Sequence, residues 1–262
     1  MIAYLLLCRV WNALFAAAVC AYAFFIVKNN FEINYINVLF LSLGIFFLVS
    51  FANAHNDIAD IEIDKINRPK RPLPSGKMSI KAAYSVVCLL FFFTLCFSML
   101  AGIKFGFLFF IAILLSAAYN RFLKSLPLVG NFTVALLSTM PVFIPIVNFG
   151  LPQQELSILA FFAFMLNFAR EITKDIEDME GDKSQNLKTL PLLVGINISL
   201  GLVFVIQLQC LMIIALFKPL LLAGVAPFFV FFAIFAVLKK WRLSQNMLKL
   251  AMLGGLATFL PL

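Results

Sequence analysis

Nine apolar runs of roughly membrane-spanning length dictate what this chain can become. They occupy 10–27, 34–54, 80–101, 105–120, 127–147, 156–172, 191–217, 219–238 and 247–262, separated by short polar breaks. A helix needs about 20 residues to cross the hydrocarbon core of a bilayer. The runs therefore predict an all-α, polytopic membrane bundle of about nine spans, forming a single integral-membrane domain over 1–262. A soluble alternative is excluded, because 63% apolar and 12% charged residues cannot clothe a water-facing surface. Arg9 lies within the first apolar stretch and no charged segment precedes it, so residues 1–27 read as an uncleaved span and not a removed leader. The last run is sixteen residues with no polar tail, so the chain either ends near the far membrane surface or is truncated. The five cysteines stand singly in apolar stretches, without Cys-x-x-Cys pairs or histidine partners, and read as packing residues.

Nine spans put the termini on opposite sides, and the basic residues orient them. Seventeen of the twenty Lys and Arg fall on one side, leaving only Lys28, Lys104 and Lys218 on the other. Positive charge collects on the cytoplasmic side of membrane proteins. The N-terminus is thus expected in the cytoplasm, and the net charge of +8 reflects topology without any nucleic-acid partner.

Ten of the twelve acids occupy two connections on that same side, Glu32 and Glu155 being the exceptions. The first cluster, at 53–64, and the second, at 171–182, each contain Asp-x-x-Asp-x-x-x-Asp: Asp57, Asp60 and Asp64 match Asp175, Asp178 and Asp182 at an offset of 118 positions. This reads as an internal repeat. Spacing by three and then four places three helical carboxylates within an arc of about 60°. Like charges on adjacent turns repel, and carboxylates at the bilayer centre cost roughly 2.5–3.5 kcal/mol each. Both clusters are therefore expected at the mouth of a polar cavity, with a cation between the carboxylates. All-oxygen ligation favours Mg²⁺, with Mn²⁺ as a substitute.

Magnesium is usually bound by a few carboxylates together with substrate phosphates, so paired Asp faces imply a phosphorylated ligand. The segment Asn67-Arg68-Pro-Lys70-Arg71-Pro-Leu-Pro-Ser75-Gly76-Lys77 directly follows the first cluster and carries guanidinium groups suited to phosphate oxygens. An anchor for anionic lipid headgroups would use the same bases.

The segments Asn56-Asp57-x-x-Asp60-x-x-x-Asp64, Asn67-Arg68-Pro-x-Arg71-Pro-Leu-Pro-Ser75-Gly76 and Asp175-x-x-Asp178-x-x-x-Asp182 together resemble the UbiA superfamily of intramembrane prenyltransferases. The likeness extends over nearly the whole chain. It implies a nine-helix bundle with a central cavity under a cytoplasmic cap, in which the two motifs hold two Mg²⁺ ions against the diphosphate of an isoprenoid donor. The wording around the motifs looks most like the digeranylgeranylglyceryl phosphate synthases. That branch adds a second geranylgeranyl chain to geranylgeranylglyceryl phosphate and so makes ether lipids.

The resemblance assigns Asp57, Asp60 and Asp64 to one ion and Asp175, Asp178 and Asp182 to the other. Asn56 would act as a neutral oxygen ligand or hold the first Asp in place, and Asn53 lines the same face one turn earlier. Arg68 and Arg71, joined by Lys124 from the connection that holds Tyr119, are expected on the diphosphate, with Lys174 and Tyr119 also lining the substrate site. Arg9 and Asn12 share a face at the start of the first span and either point into the cavity or anchor the interface. His55, the single histidine, reads as a structural or interfacial residue more than a base. The thirty-two phenylalanines suit a lateral tunnel for the donor's apolar tail, although most must face lipid or neighbouring helices. Gly102, Gly106, Gly254 and Gly255 are expected at close helix contacts.

Three functions remain open: prenyl transfer to a lipid glycerol phosphate, prenylation of an aromatic acceptor such as 4-hydroxybenzoate or a naphthoate, and divalent-cation transport. Transporters place ionisable sites near the midplane on broken helices. Both clusters here lie at one membrane face, which disfavours the third.

Overall fold

The computed structural model describes residues 2–150, 153–217, 219 and 222–257. The long elements among these residues are all α-helices. They are α1 (Ile2–Cys8), α2 (Val10–Ile26), α3 (Tyr35–Ala59), α4 (Ile61–Asn67), α5 (Ile80–Ala101), α6 (Ile103–Arg121), α7 (Val129–Phe149), α8 (Gln154–Ser184), α9 (Leu190–Val194), α10 (Ile196–Phe217), α11 (Leu222–Val237) and α12 (Trp241–Ala257).

Six helices, α3, α5, α6, α7, α8 and α10, are long and apolar enough to cross a membrane, and α1 with α2 makes a seventh as one span bent by 48°. The chain is a multi-pass membrane protein. Its exposed surface is accordingly greasy, with Trp11, Ile103, Phe107, Leu208 and Leu216 each more than 60% exposed. Against the nine apolar runs, α11 is apolar but only 16 residues long, and the 17-residue α12 carries Arg242, Gln245, Asn246 and Lys249. The end of the last run, 258–262, lies outside the described residues.

The helix boundaries differ from the runs wherever the backbone carries a special residue. The apolar stretch 1–27 breaks at Arg9, which adopts φ 46°, ψ 53° between α1 and α2. The run at 191–217 divides into α9 and α10 at Gly195, whose φ of 84° suits only a residue without a Cβ. The helix of the sixth run extends well beyond Ile172, because α8 continues unbroken through the second motif to Ser184. At 1.5 Å per residue it is about 46 Å long, roughly three turns more than the hydrocarbon core requires. It stops by a left-handed cap: Asn186 takes φ 54°, its N–H donates to Lys183 O, and Leu187 N–H donates to Asp182 O.

The chain divides into two compact units, Met1–Leu123 with Met140–Leu151, and Lys124–Thr139 with Pro152–Leu262. In the first, α3 is the hub and packs against α1, α2, α5 and α6. Asn34 caps it, its Oδ1 accepting from the Asn37 N–H at 3.1 Å, and Phe47 stacks between Phe93 and Phe97 at 5.1 and 5.4 Å. In the second, α8 is the hub and packs against α9, α10 and α12, while α11 packs against α12 and α10. Each unit is thus centred on the helix that carries an Asp motif. Each hub helix is also followed by a short helix, α4 or α9.

Close helix contact accounts for three of the four glycines singled out above. A Cβ on Gly106 would meet Met99 Cγ at 2.7 Å, one on Gly255 would strike the Phe162 ring, and one on Gly254 would lie 2.7 Å from the Gly224 carbonyl oxygen. Gly102 differs: its φ of 138° makes it a hinge between α5 and α6. The Gly254 contact involves backbone on both sides and has nowhere to relax. Gly254→Ala is expected to cost about 1–3 kcal/mol by overpacking and to lower the melting temperature in detergent. Gly201→Ala, with nothing within 4 Å of its Cβ, is expected to leave that temperature unchanged in the same assay.

Candidate active site

The first motif is assembled by chain from outside it. Asp57 is buried near the end of α3 and Asp64 is buried on α4, at 3% and 1% exposure. Arg71 reaches both through a single nitrogen: Nη1 donates to Asp57 Oδ1 at 3.1 Å and to Asp64 Oδ2 at 2.5 Å. Arg9 closes the other side, with Nη2 donating to Asp57 Oδ1 at 2.5 Å and Nη1 to Asn53 Oδ1 at 3.0 Å. Arg68 stands farther off, 4.0 Å from Asp64 Oδ1.

Local folding explains how Arg71 gets there. After α4 the chain turns through bonds from Arg71 N–H to Arg68 O, Ser75 N–H to Arg71 O and Met78 N–H to Pro72 O. These turns bury Leu73 and Met78 and carry the guanidinium back over the motif. Burial pushes the Asp64 carboxyl above the usual carboxylate range even though Arg71 pulls it down. An uncompensated charge there would be lost to protonation.

Asp60 departs from the uniform helical face expected for the motif. It is the last cap of α3 and the first of α4, at φ −99°, ψ 11°. Its N–H still donates to Asn56 O and its carbonyl still accepts from Asp64 N–H, so the break bends the face without ending it. Asn56 Nδ2 donates to Asn120 Oδ1 at 3.0 Å, and Asn120 Nδ2 lies 2.9 Å from His55 Nδ1. This network assigns His55 Nδ1 as acceptor and places the proton of the neutral ring on Nε2. His55, stacked on Phe51 at 5.6 Å, therefore has no free nitrogen lone pair with which to act as a base. Asn120 leaves the Asn56 carbonyl oxygen as the end available to a ligand.

Arg9 and Asn12 do not share a helical face. Arg9 sits in the left-handed break before α2, whereas Asn12 is exposed on α2 itself. The break is what swings the Arg9 side chain to Asp57. Tyr119 is half-buried on α6, beside Asn120.

In the second unit the motif lies on one unbroken helix. Asp178 and Asp182 are buried on α8, and Asp175 is half-buried and accepts from Asn131 Nδ2 of α7 at 2.7 Å. One turn earlier the buried Glu171 accepts from Arg170 Nη2 at 2.6 Å and from Lys174 Nζ at 3.3 Å. Gln245 of α12 donates to Glu177 at 2.5 Å. Lys124 is half-buried in a single 3-10 turn, Leu123–Ser125, before α7.

Among the described residues, no group of three or more His, Cys, Asp or Glu is gathered closely enough to hold a metal ion. The donor chemistry nevertheless suits magnesium. Asp57 and Asp64 present buried carboxylate oxygens with a cationic guanidinium between them, and Mg²⁺ commonly takes one or two carboxylates together with the phosphates of its substrate.

The sequence pattern of the UbiA prenyltransferase family matches residues 10–252. The chain belongs to this family. A digeranylgeranylglyceryl phosphate synthase from Pyrococcus horikoshii is 42% identical over 161 residues, 60% of this chain and 57% of that protein. The chain thus spans a little over half the length of this relative. A solved structure concerned with digeranylgeranylglyceryl phosphate synthase in membranes is 30% identical with a TM-score of 0.72, covering 98% of this chain and 96% of that one. A UbiA homologue from Archaeoglobus fulgidus bound to DMAPP and Mg²⁺ is 19% identical with a TM-score of 0.69, covering 99% of each chain. That likeness shows the UbiA fold.

Within this UbiA-family chain, sequence reasoning passed over Asn120, Asn131 and Glu171. Asn120 and Asn131 are polar residues within the ends of apolar runs, which is a usable signal. Glu171 lies four positions before Asp175, the step that keeps residues on one helical face, and so extends that face. Removing the Arg71 guanidinium would leave two buried carboxylates with less compensation, a change that typically costs about 3–5 kcal/mol. Arg71→Met is therefore expected to lower the melting temperature in EDTA by several degrees, and added Mg²⁺ to recover more of the loss than it adds to the parent protein. Equal Mg²⁺ effects on the two would show that Arg71 does not stand where a cation binds.

Proposed function

We propose that the chain transfers a geranylgeranyl group from its diphosphate to geranylgeranylglyceryl phosphate, with Mg²⁺ as cofactor. The observation that carries this reading is the buried Arg9–Asp57–Arg71–Asp64 cluster, an oxygen-rich site that demands positive charge. The match to the P. horikoshii synthase over 60% of the chain supports the acceptor. The Mg²⁺ and DMAPP bound to the A. fulgidus homologue support the cofactor and the class of donor. The reading takes in two ions, replaceable by Mn²⁺, with Asp57, Asp60 and Asp64 and the Asn56 oxygen as one ligand set and Asp175, Asp178 and Asp182 as the other. It also places the N-terminus and both motifs on the cytoplasmic side, in keeping with the distribution of Lys and Arg.

When bound, the ions neutralise charge on the diphosphate and so ease its departure. The chain's own residues hold and orient. Asp57 and Asp64 supply oxygen ligands that burial makes avid for a cation. Once that charge is met from elsewhere, the Arg71 guanidinium turns to the diphosphate oxygens, joined by Arg68 and Lys124. Asn120 keeps the Asn56 oxygen directed away from its own amide. The acceptor's glycerol hydroxyl forms a C–O bond to C1 of the prenyl chain as the allylic C–O bond to diphosphate breaks. Its proton leaves with the diphosphate, since the Nδ1 lone pair of His55 is already engaged by the Asn120 amide.

The test is incubation of purified protein in detergent with Mg²⁺, labelled geranylgeranyl diphosphate and a panel of acceptors. A doubly prenylated glycerol phosphate is the expected product. EDTA should abolish it, and Asp60→Asn and Asp178→Asn should each lower the rate on the order of a hundredfold. Product with aromatic acids alone would reassign the acceptor. Absence of any product, together with divalent-ion flux in liposomes, would reassign the protein as a transporter.

A further inference from the structure

One charged cluster in the second unit takes no part in the proposed metal chemistry. Glu171, 3% exposed, uses both carboxylate oxygens to hold two cations of its own helix, Arg170 and Lys174. Two cations thus share one carboxylate, although the Lys174 charge also acts on Asp175. The Arg170 Nε–H is buried and has no acceptor among the described residues. A buried donor without a partner is costly, and a cationic one more so, unless an anionic oxygen reaches it. In the first unit the position equivalent to Glu171 by the 118-residue offset is Asn53, a neutral amide serving Arg9. The ion cluster is therefore particular to the second copy of the repeat.

We infer that Arg170 and Lys174, aligned by Glu171, form the subsite for the phosphate monoester of the acceptor. A phosphate monoester offers several anionic oxygens, enough to meet the Arg170 Nε–H and the Lys174 ammonium together, and Arg is the side chain best shaped for such a group. The subsite lies one helical turn, about 5.4 Å, before Asp175. A glycerol phosphate carries its reacting hydroxyl only a few bonds from phosphorus, so its phosphate must bind within about that distance of the donor's diphosphate ligands. Glu171 acts as a positioning residue. It holds both cations in place before the anion arrives and lowers the ordering cost of binding.

This inference rests on the glycerol phosphate reading, and its test separates the two. Steady-state kinetics would be measured in neutral detergent with geranylgeranyl diphosphate and either geranylgeranylglyceryl phosphate or the dephosphorylated geranylgeranylglycerol. Arg170→Gln and Lys174→Met should each raise KM for the phosphorylated acceptor roughly tenfold to a hundredfold. The preference for phosphorylated over dephosphorylated acceptor should fall by a similar factor, with the donor's KM as in the parent. Arg170→Lys, which keeps the charge but lacks the Nε–H, should fall between parent and Arg170→Gln. A rise in the donor's KM instead, or equal losses on both acceptors, would overturn the assignment. So would an effect seen only in vesicles containing anionic lipid and absent in neutral detergent, which would mark a headgroup site. If the parent protein makes no product with either acceptor, the functional reading fails. The subsite is then judged by binding of geranylgeranylglyceryl phosphate without donor, where equal affinity of parent and Arg170→Gln would end it.

Discussion

A single guanidinium holds the first half of this site together. Arg71 donates to carboxylates on two successive helices, Asp57 of α3 and Asp64 of α4. Taking two carboxylates out of water costs several kcal/mol per ion unless a cation and hydrogen bonds repay it. Without Arg71 the end of α3 and the whole of α4 would bring like charges together in a poorly solvated place, and α4 would have little reason to stay folded against the end of α3. The loop that returns Arg71 is held in turn by two apolar side chains, Leu73 and Met78. The charge arrangement therefore depends on an apolar anchor at Leu73 and Met78, beyond Arg71 in the chain.

Arg9 supplies the second cation to Asp57, and it does so from a left-handed backbone conformation between two helices. Such a conformation costs a residue with a Cβ roughly 1–2 kcal/mol. The bond to Asp57 and the one to Asn53 offset that cost. The 48° bend of the first span thus belongs to the electrostatics of the site as much as to helix packing.

The helices, the two motifs and the basic loop were legible in the sequence because each rests on a local rule. Apolar length marks helices, three-and-four spacing marks a helical face, and bases soon after acids mark a loop that folds back onto them. What sequence concealed depends on three-dimensional partners. The break at Arg9 has no Gly or Pro to announce it. Asp60 was expected on a continuous face, but it caps two helices at once. Asn120 is one polar residue near the end of an apolar run, and only its place beside His55 and Asn56 gives it meaning.

The two copies of the motif meet the same electrostatic problem in opposite ways. In the first, compensation is long-range, since Arg9 lies 48 positions from Asp57 and Arg71 lies 14. In the second, Arg170 and Lys174 sit one and three residues from Glu171 on the same helix, while Asp175 takes a neutral amide from Asn131. Long-range cations can be drawn away when the charge they balance is met by another ion, because the loop or hinge carrying them can move. Cations fixed on the same helix cannot leave, so they persist as positive charge beside whatever binds. The proposed transfer of a prenyl group from a departing diphosphate to an anionic acceptor would use both kinds of site: one that exchanges its cation when the donor arrives, and one that remains cationic throughout to hold the acceptor against the repulsion of the diphosphate.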